Sequence, residues 1–176
     1  METTKRQRDA LDEIVEEVRD WLPDIAVDGL PITGRVLRLA RYLEDGRERQ
    51  LAAFGLTVGD FDLLATLRRR AADDSIKVGD LQRSLMLSSG GTTKRLDRLE
   101  AAGLVERLPD PNDRRGTLIR LSESGRSLID KAVPAITRYE SDLVATALRT
   151  SRGRSAVEDG LRQMLIAQEG STTDAL

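Results

Sequence analysis

Apolar residues recur at a helical spacing along most of the chain. Residues 7–22 place their apolar positions on one face of a 3.6-residue period, which predicts an amphipathic helix that ends before Pro23. Residues 33–55 carry a longer stripe of the same kind, which closes at a glycine. A third helix is predicted around Phe61 to Leu67. The first third of the chain is therefore expected to be helical.

The next stretch of the apolar pattern predicts shorter helices. Leu81 and Leu85 are four residues apart and predict a helix of about two turns. After a turn, Ser88 stands where an N-cap residue belongs, and the next helix runs to Ala102 before Gly103, the expected left-handed residue. A short helix, a turn and a second helix together predict a helix-turn-helix unit.

Residues 104–121 predict a β-hairpin with a polar tip at residues 110–116. Its apolar side chains are expected to come from Leu104 and Leu108 on one strand and from Leu118, Ile119 and Leu121 on the other. The short β-branched stretch 76–78 is expected to pair beside the hairpin as a third, minor strand. A basic hairpin after a helix-turn-helix predicts a winged helix.

The C-terminal third is again helical. Ser122 opens a long apolar-striped helix, in which Pro134 is expected to produce a bend. Arg152 and Gly153 interrupt the pattern, and a last helix is predicted to start near Val157. The polar tail 169–176 is expected to be mobile.

Composition excludes several kinds of chemistry. The 176 residues include no cysteine and no histidine, which rules out thiol nucleophiles, imidazole bases, disulfides and ordinary zinc sites. The carboxylates show no regular spacing typical of a calcium or magnesium loop. We therefore expect neither a catalytic site, nor a metal site, nor a cofactor.

The net charge of −2 is unevenly distributed. Residues 88–120 hold seven basic and five acidic side chains, whereas residues 1–60 hold nine basic and thirteen acidic ones. Because phosphate attraction acts over about 10 Å, a mildly basic middle segment is compatible with DNA binding. No signal-peptide core and no run of 18 apolar residues is present, which predicts a cytoplasmic protein with no membrane partner.

The second helix of the helix-turn-helix has one polar face and one apolar face. Thr92, Leu96 and Leu99 lie on the packing side. The opposite side and the helix start carry hydroxyls, a glycine and cations suited to phosphates and base edges in a major groove. The predicted DNA contacts there are Ser88, Ser89, Gly90, Thr93, Lys94 and Arg98. An ordinary solvated helix face is the alternative.

The hairpin tip adds Asp113, Arg114 and Arg115 to the predicted DNA contacts. Guanidinium groups are attracted to the negative potential of a narrow minor groove. The alternative is that Asp113 pairs with Arg115 only to stabilise the turn. Both roles are compatible, because a turn held by Asp113 presents an arginine at lower entropic cost.

Several of these stretches resemble one family of bacterial transcriptional regulators, the MarR family. They are Leu81, Leu85, the run Ser88-Ser-Gly-Gly-Thr-Thr-Lys-Arg-Leu-Asp-Arg-Leu-Glu-Ala-Ala-Gly-Leu-Val-Glu-Arg107, the wing Asp110-Pro-Asn-Asp-Arg-Arg115, and Leu121-Ser-Glu-Ser-Gly125. The resemblance covers residues 33–168. Met86 replaces a frequent glycine and Ser122 a commoner threonine.

The resemblance implies a mainly α fold with a small β-hairpin wing: a winged helix-turn-helix with N- and C-terminal dimerisation helices. The apolar stripes independently favour a homodimer, since they exceed what a small winged lobe covers. Two-fold symmetry then predicts a palindromic double-stranded DNA operator. The expected regions are 1–32 (N-terminal helix and connector), 33–55 (dimerisation helix), 56–122 (DNA-binding lobe), 123–168 (C-terminal dimerisation helices) and 169–176 (tail).

The chain also resembles the branch of this family that contains urate-responsive regulators. Trp21, Asp62 and Arg95 match positions proposed for effector binding there, whereas Lys94 stands where an asparagine is typical. The alternative is structural, with Trp21 packed in a dimer core and Asp62 paired to Arg95.

The resulting hypothesis is a homodimeric, sequence-specific DNA-binding regulator without catalytic activity. We expect a repressor that a noncovalently bound small anionic or aromatic ligand releases from DNA. The alternative is a winged-helix protein-interaction or assembly module whose basic tip contacts an acidic partner.

Overall fold

The computed structural model describes residues 8–70, 75–85 and 89–170, with only the backbone of Ser89, Arg114 and Arg115. The predicted N-cap Ser88 and tail residues 171–176 lie outside this description. The described residues form α1 (Ala10–Trp21), α2 (Leu30–Leu51), α3 (Val58–Arg70), β1 (Ser75–Lys77), α4 (Val78–Leu85), α5 (Ser89–Ala101), β2 (Val105–Asp110), β3 (Asp113–Leu121), α6 (Glu123–Ala147) and α7 (Ser151–Glu169). The fold is mainly α with a small antiparallel sheet, as the sequence predicts.

The chain divides into two compact units, Met1–Val58 and Gly59–Leu176. In the first, Asp9 caps α1 and also joins it to α2. Its carboxylate accepts backbone N–H bonds from Leu11 and Asp12, and Arg35 of α2 donates to Asp9 and Asp12 at 2.8 Å. The Arg35 hydrogen bond is the main cause that lowers the pKa of Asp9. This cap and ion pair fix the crossing of the two helices.

The limits of α2 differ from the prediction at its start. The helix begins at Leu30 rather than Thr33, with Pro31 in its first turn, where the missing N–H costs nothing and the fixed φ suits a helix. A single 3-10 turn (Ala52–Phe54) follows α2, and Gly55 ends it with φ 67°, as predicted.

The sheet of the second unit has the order β1-β3-β2, and both pairings are antiparallel. The predicted third strand is confirmed, with Ile76 opposite Ile119. Val78, expected in this strand, is instead the first residue of α4. The hairpin prediction is also confirmed, and its turn lies between Asp110 and Asp113.

The buried face of the hairpin differs from the expected one. Val105, Ile119 and Leu121 are buried, whereas Leu104, Leu108 and Leu118 are half-buried. Val105 lies opposite Leu121, and strand side chains alternate between faces, so Leu108 and Leu118 point to the other side. The apolar core of this unit consists of Phe61, Leu63, Leu64, Leu67, Leu81, Leu96, Leu99, Val105, Ile119, Leu121, Ile129, Ala132 and Ile136.

The last two helices begin at capped residues. Ser122 caps α6 by accepting the N–H of Gly125, and Pro134 lies inside that helix. Thr150 caps α7 by accepting the N–H of Gly153 at 3.1 Å. The predicted interruption at Arg152 and Gly153 is therefore wrong: both belong to the first turn of α7. Glu169, expected in the tail, is the last residue of that helix.

Both units expose apolar side chains on their long helices. In the second unit α7 has no buried residue, and its apolar stripe is exposed together with the end of α6. The exposed residues there are Leu143, Val144, Val157, Leu161, Met164, Leu165 and Ile166; in the first unit they include Ile32, Val36, Leu37, Leu39 and Tyr42. Among the described residues, no helix is both long and apolar enough to cross a membrane.

Candidate nucleic-acid interface

The helix α5 has the two faces that the sequence predicts. Thr92, Leu96 and Leu99 are buried against the lobe. Gly90, Thr93, Lys94 and Arg98, four of the predicted contacts on this helix, are exposed. An exposed row of small, hydroxylic and cationic residues on a helix of 13 residues suits a major groove.

The first turn of α3 holds two arginines of α5. Asp60 forms an ion pair with Arg98, and the Arg95 guanidinium occupies the space that a Cβ at Gly59 would take. The side chain of Asp60 is only 6% exposed, whereas that of Arg98 is 53% exposed. The guanidinium of Arg98 is thus held by a buried carboxylate, and the side chain is still accessible. Sequence reasoning missed Asp60, since only its place in the first turn of a helix distinguishes it from other acidic residues.

A second ion-pair cluster joins α5 to the wing. Arg107 of β2 donates to Asp97 and to Glu100 of α5, each at 2.6 Å. The hydrogen bond to Asp97 is the main cause that raises the pKa of Arg107. The wing and the helix are therefore held together by charge as well as by the core. This cluster was not predicted, because its members are far apart in a charged sequence.

The corner between α5 and β2 explains the Leu-Ser-Glu-Ser-Gly stretch. Gly103 ends α5 with φ 69°, and its carbonyl accepts hydrogen bonds from the hydroxyls of Ser122 and Ser124 at 2.6 and 2.7 Å. The backbone of Gly125 lies directly against the carbonyl of Leu104, where a Cβ would clash. These contacts attach the start of α6 to the end of α5.

The turn of the wing is held by a buried carboxylate. Asp110, the last residue of β2, has a side chain that is 2% exposed, and it accepts the N–H of Asn112 at 2.9 Å. Its other oxygen lies 2.9 Å from the Nζ of Lys77, the last residue of β1. The Lys77 ammonium is the main cause that lowers the pKa of Asp110. Gly116 leaves room for this carboxylate, because an added Cβ would lie 2.8 Å from the Asp110 Cβ.

The predicted wing residues Asp113, Arg114 and Arg115 lie at the start of β3. Asp113 is exposed, and its predicted pairing with Arg115 stays a prediction. The carboxylate observed in the turn is Asp110. An Asp-Pro-Asn sequence is a signal for such a turn, since aspartate side chains often accept the N–H two residues ahead.

The residues predicted to bind an effector belong to both units. Trp21 ends α1 in the first unit and is 77% exposed. Asp62 lies in the second unit, where it lines a cavity of about 590 Å³ together with Thr66, Arg69 and Val133. Arg95, half-buried on α5, is not among the described residues that line this cavity. In the described ranges, no group of three or more acidic residues is placed to hold a metal ion.

A helix-turn-helix with an exposed polar helix face, followed by a two-stranded wing that belongs to a three-stranded sheet, defines a winged helix-turn-helix DNA-binding protein. The MarR family model matches residues 56–117, which include the helix-turn-helix and most of the wing. The transcriptional regulator PecS of Dickeya dadantii (strain 3937) is 33% identical over 149 residues, which cover 81% of this chain and 90% of PecS. The chain belongs to the MarR family of transcriptional regulators, and it is not an enzyme.

Solved structures agree with this assignment. A mutant of MarR from E. coli complexed with operator DNA has a TM-score of 0.68 at 25% identity, and the match covers 80% of this chain and 99% of that one. The S. aureus MepR–DNA complex has a TM-score of 0.71 at 20% identity, over 77% and 97% of the two chains. The second likeness concerns the fold alone.

Proposed function

We propose that this regulator is a homodimeric repressor that binds a palindromic operator and is released by a small ligand. The observation that carries the proposal is the exposed polar face of α5, fixed by Asp60 and placed beside a wing with two arginines. In this proposal α5 enters the major groove and Arg114 and Arg115 reach the adjacent minor groove.

Dimer formation is supported by the exposed apolar stripes of both units. Soluble monomers rarely expose large contiguous apolar patches. A second copy of the chain presents the same apolar surface and can cover it. A two-fold dimer would place two α5 helices in successive major grooves. The operator would then contain two half-sites about 10 bp apart, or a multiple of this spacing.

Ligand release is supported by the cavity around Asp62. Thr66 and Arg69 give it polar groups, and Val133 and Leu85 give it apolar ones. Because the sequence contains neither cysteine nor histidine, release by thiol oxidation or by a histidine metal site is excluded. A noncovalent, small anionic or aromatic ligand fits this lining.

The DNA-binding proposal is tested by selecting the preferred DNA sequence and measuring affinity against salt. We expect a palindromic site and a steep decrease of affinity with salt, because phosphate contacts release counterions. Arg115→Ala should weaken binding about tenfold and lower the salt slope by about one. Arg162→Ala on α7 is the control and should leave both unchanged.

An unselective or salt-insensitive interaction would contradict the proposal. Unchanged affinity of Arg115→Ala would remove the wing contact from it.

Ligand release is tested separately on the selected DNA site. Fluorescence anisotropy is followed while small aromatic acids such as benzoate are added to wild type and to Arg69→Ala, which removes a cation that lines the cavity. Release of the wild type, with a weaker response of the variant, is expected. If no compound releases the wild type at millimolar concentration, the ligand part of the proposal fails while the DNA part stands.

A further inference from the structure

Lys77 and Asp110 join three strands at the turn end of the wing. Lys77 ends β1, Asp110 ends β2, and Gly116 of β3 lies against the Asp110 side chain. The regular pairing of β2 with β3 is interrupted between Pro109 and Asp110. The ion pair therefore lies where the hairpin leaves the sheet.

The two side chains differ sharply in exposure. Asp110 is 2% exposed, but the side chain of Lys77 is 56% exposed. A buried carboxylate requires compensation, and it receives one hydrogen bond from the Asn112 backbone and one ion pair from Lys77. Since the Asn112 bond is local to the turn, Lys77 is the contact that ties the turn to another strand.

We propose that the Lys77–Asp110 pair is a positioning device for DNA binding: it fixes the direction of the wing and so presents Arg114 and Arg115 to DNA. Neither residue of the pair touches DNA in this arrangement. The inference rests on the proposed wing contact and adds to it a defined residue pair outside the contact surface.

The physical reason is conformational entropy. Without the ion pair, β1 is joined to β3 by only three residue pairs and makes no contact that holds the turn between β2 and β3. A wing that is free to change direction must be ordered on binding. Ordering one or two residues costs roughly a tenfold loss in a binding constant.

The experiment compares Lys77→Met, Lys77→Arg and Asp110→Asn with the wild type on the selected operator, at several salt concentrations. Lys77→Met and Asp110→Asn should each weaken binding about tenfold, whereas Lys77→Arg should retain most of the wild-type affinity. The salt slope should stay unchanged in all three, because no phosphate contact is lost. Arg120→Met is the matched control: it removes the cross-strand pair with Glu106 in the same sheet, away from the turn of the wing.

The same substitutions are repeated in an Arg114→Ala/Arg115→Ala background. There Lys77→Met and Asp110→Asn should have no further effect, because a wing without its arginines gains nothing from being positioned. If the Arg114→Ala/Arg115→Ala protein binds DNA like the wild type, the proposed contact between the wing and DNA is refuted. This outcome is distinct from one that refutes only the role of the ion pair.

Three results would overturn the positioning role. One is wild-type affinity of Lys77→Met. Another is a loss that persists undiminished in the Arg114→Ala/Arg115→Ala background. The third is a salt slope lowered by about one in Lys77→Met but not in Asp110→Asn, which would make Lys77 a phosphate contact. Thermal unfolding checks that each variant folds; if Asp110→Asn does not, the half-exposed Lys77 still provides the test.

Discussion

Among the described residues, Asp60 and Asp110 are the two buried carboxylates. Each is paired with a basic side chain that reaches the surface, Arg98 and Lys77 respectively. A buried carboxylate without a partner is costly, so each pair is held together by its acidic member. The positions of two cations next to the proposed DNA-binding face thus depend on two buried acids.

The ion pair between Asp60 and Arg98 leads to a prediction about stability. Asp60→Ala should lower the free energy of unfolding by about 1–2 kcal/mol, a modest value because Arg98 is half exposed and can be hydrated again. Urea unfolding at pH 7 measures the change. The control is Asp159→Ala, which removes an exposed pair with Arg162 on α7 and should cost about 0.5 kcal/mol or less. Equal costs for the two variants would contradict the role of Asp60.

The lowered pKa of Asp110 makes a prediction about pH. Because its folded pKa lies below the unfolded value of 3.8, its contribution to stability is complete above that value and is lost as the pH falls through the folded pKa. The stability difference between wild type and Asp110→Asn should therefore be constant near neutral pH and shrink below about pH 4. Urea unfolding at several pH values from 2 to 7 measures it. A difference independent of pH over this range would contradict the prediction.

At the scale of elements, short contacts at the ends of helices and strands hold the lobe in register. The serines of residues 121–125 bind the carbonyl of Gly103, and Gly125 lies against Leu104. Arg107 joins β2 to α5. The orientation of α5 relative to the wing and to α6 is therefore fixed at its C-terminal end.

The close approach at Gly125 predicts a strong effect of a single methyl group. Gly125→Ala should lower the free energy of unfolding by about 1–3 kcal/mol, because the new Cβ would overlap the backbone carbonyl of Leu104. Gly160→Ala on α7 is the matched control. No atom lies within 4 Å of its added Cβ, so the better helix propensity of alanine should raise stability by up to about 1 kcal/mol. The prediction fails if Gly125→Ala unfolds at the same urea concentration as the wild type.

At the scale of the whole molecule, the long helices expose apolar surface that one copy of the chain leaves uncovered. Val157, Leu161 and Leu165 are spaced by four residues on α7, and all three are exposed. On a helix this spacing makes a continuous stripe. The proposed dimer covers such a stripe.

A charge in this stripe should dissociate the dimer. Leu161→Glu removes an apolar side chain worth about 1.5–3 kcal/mol when buried, and the symmetric interface loses two of them. We expect the dimer dissociation constant to rise at least a hundredfold by sedimentation equilibrium. Gln163→Glu adds the same charge to an exposed polar position of α7 and should leave the dimer intact. A Leu161→Glu protein that remains dimeric would show that this stripe is not the interface.

The family and the fold class are predictable from the sequence, because the helical periods, the wing motif and the Leu-Ser-Glu-Ser-Gly stretch are local patterns. The exposed face of α5 and the third strand follow from the same patterns and are confirmed. Errors occur where local signals compete. Gly153 is predicted to interrupt the helical pattern, although Thr150 caps the same turn, and Leu108, an expected apolar residue of the hairpin, lies on the face opposite to the buried Val105.

The sequence by itself determined which residues form helices and strands, since these depend on spacing, capping and turn chemistry over a few residues. Only the tertiary structure decided which charged side chains are buried and which residues they pair with. Lys77 and Asp110 are 33 residues apart, and Asp60 and Arg98 are 38 apart. In a chain with 33% charged residues, no local pattern selects such partners. Their pairing arises because the packed core brings the ends of distant elements together, where a desolvated carboxylate requires a nearby cation.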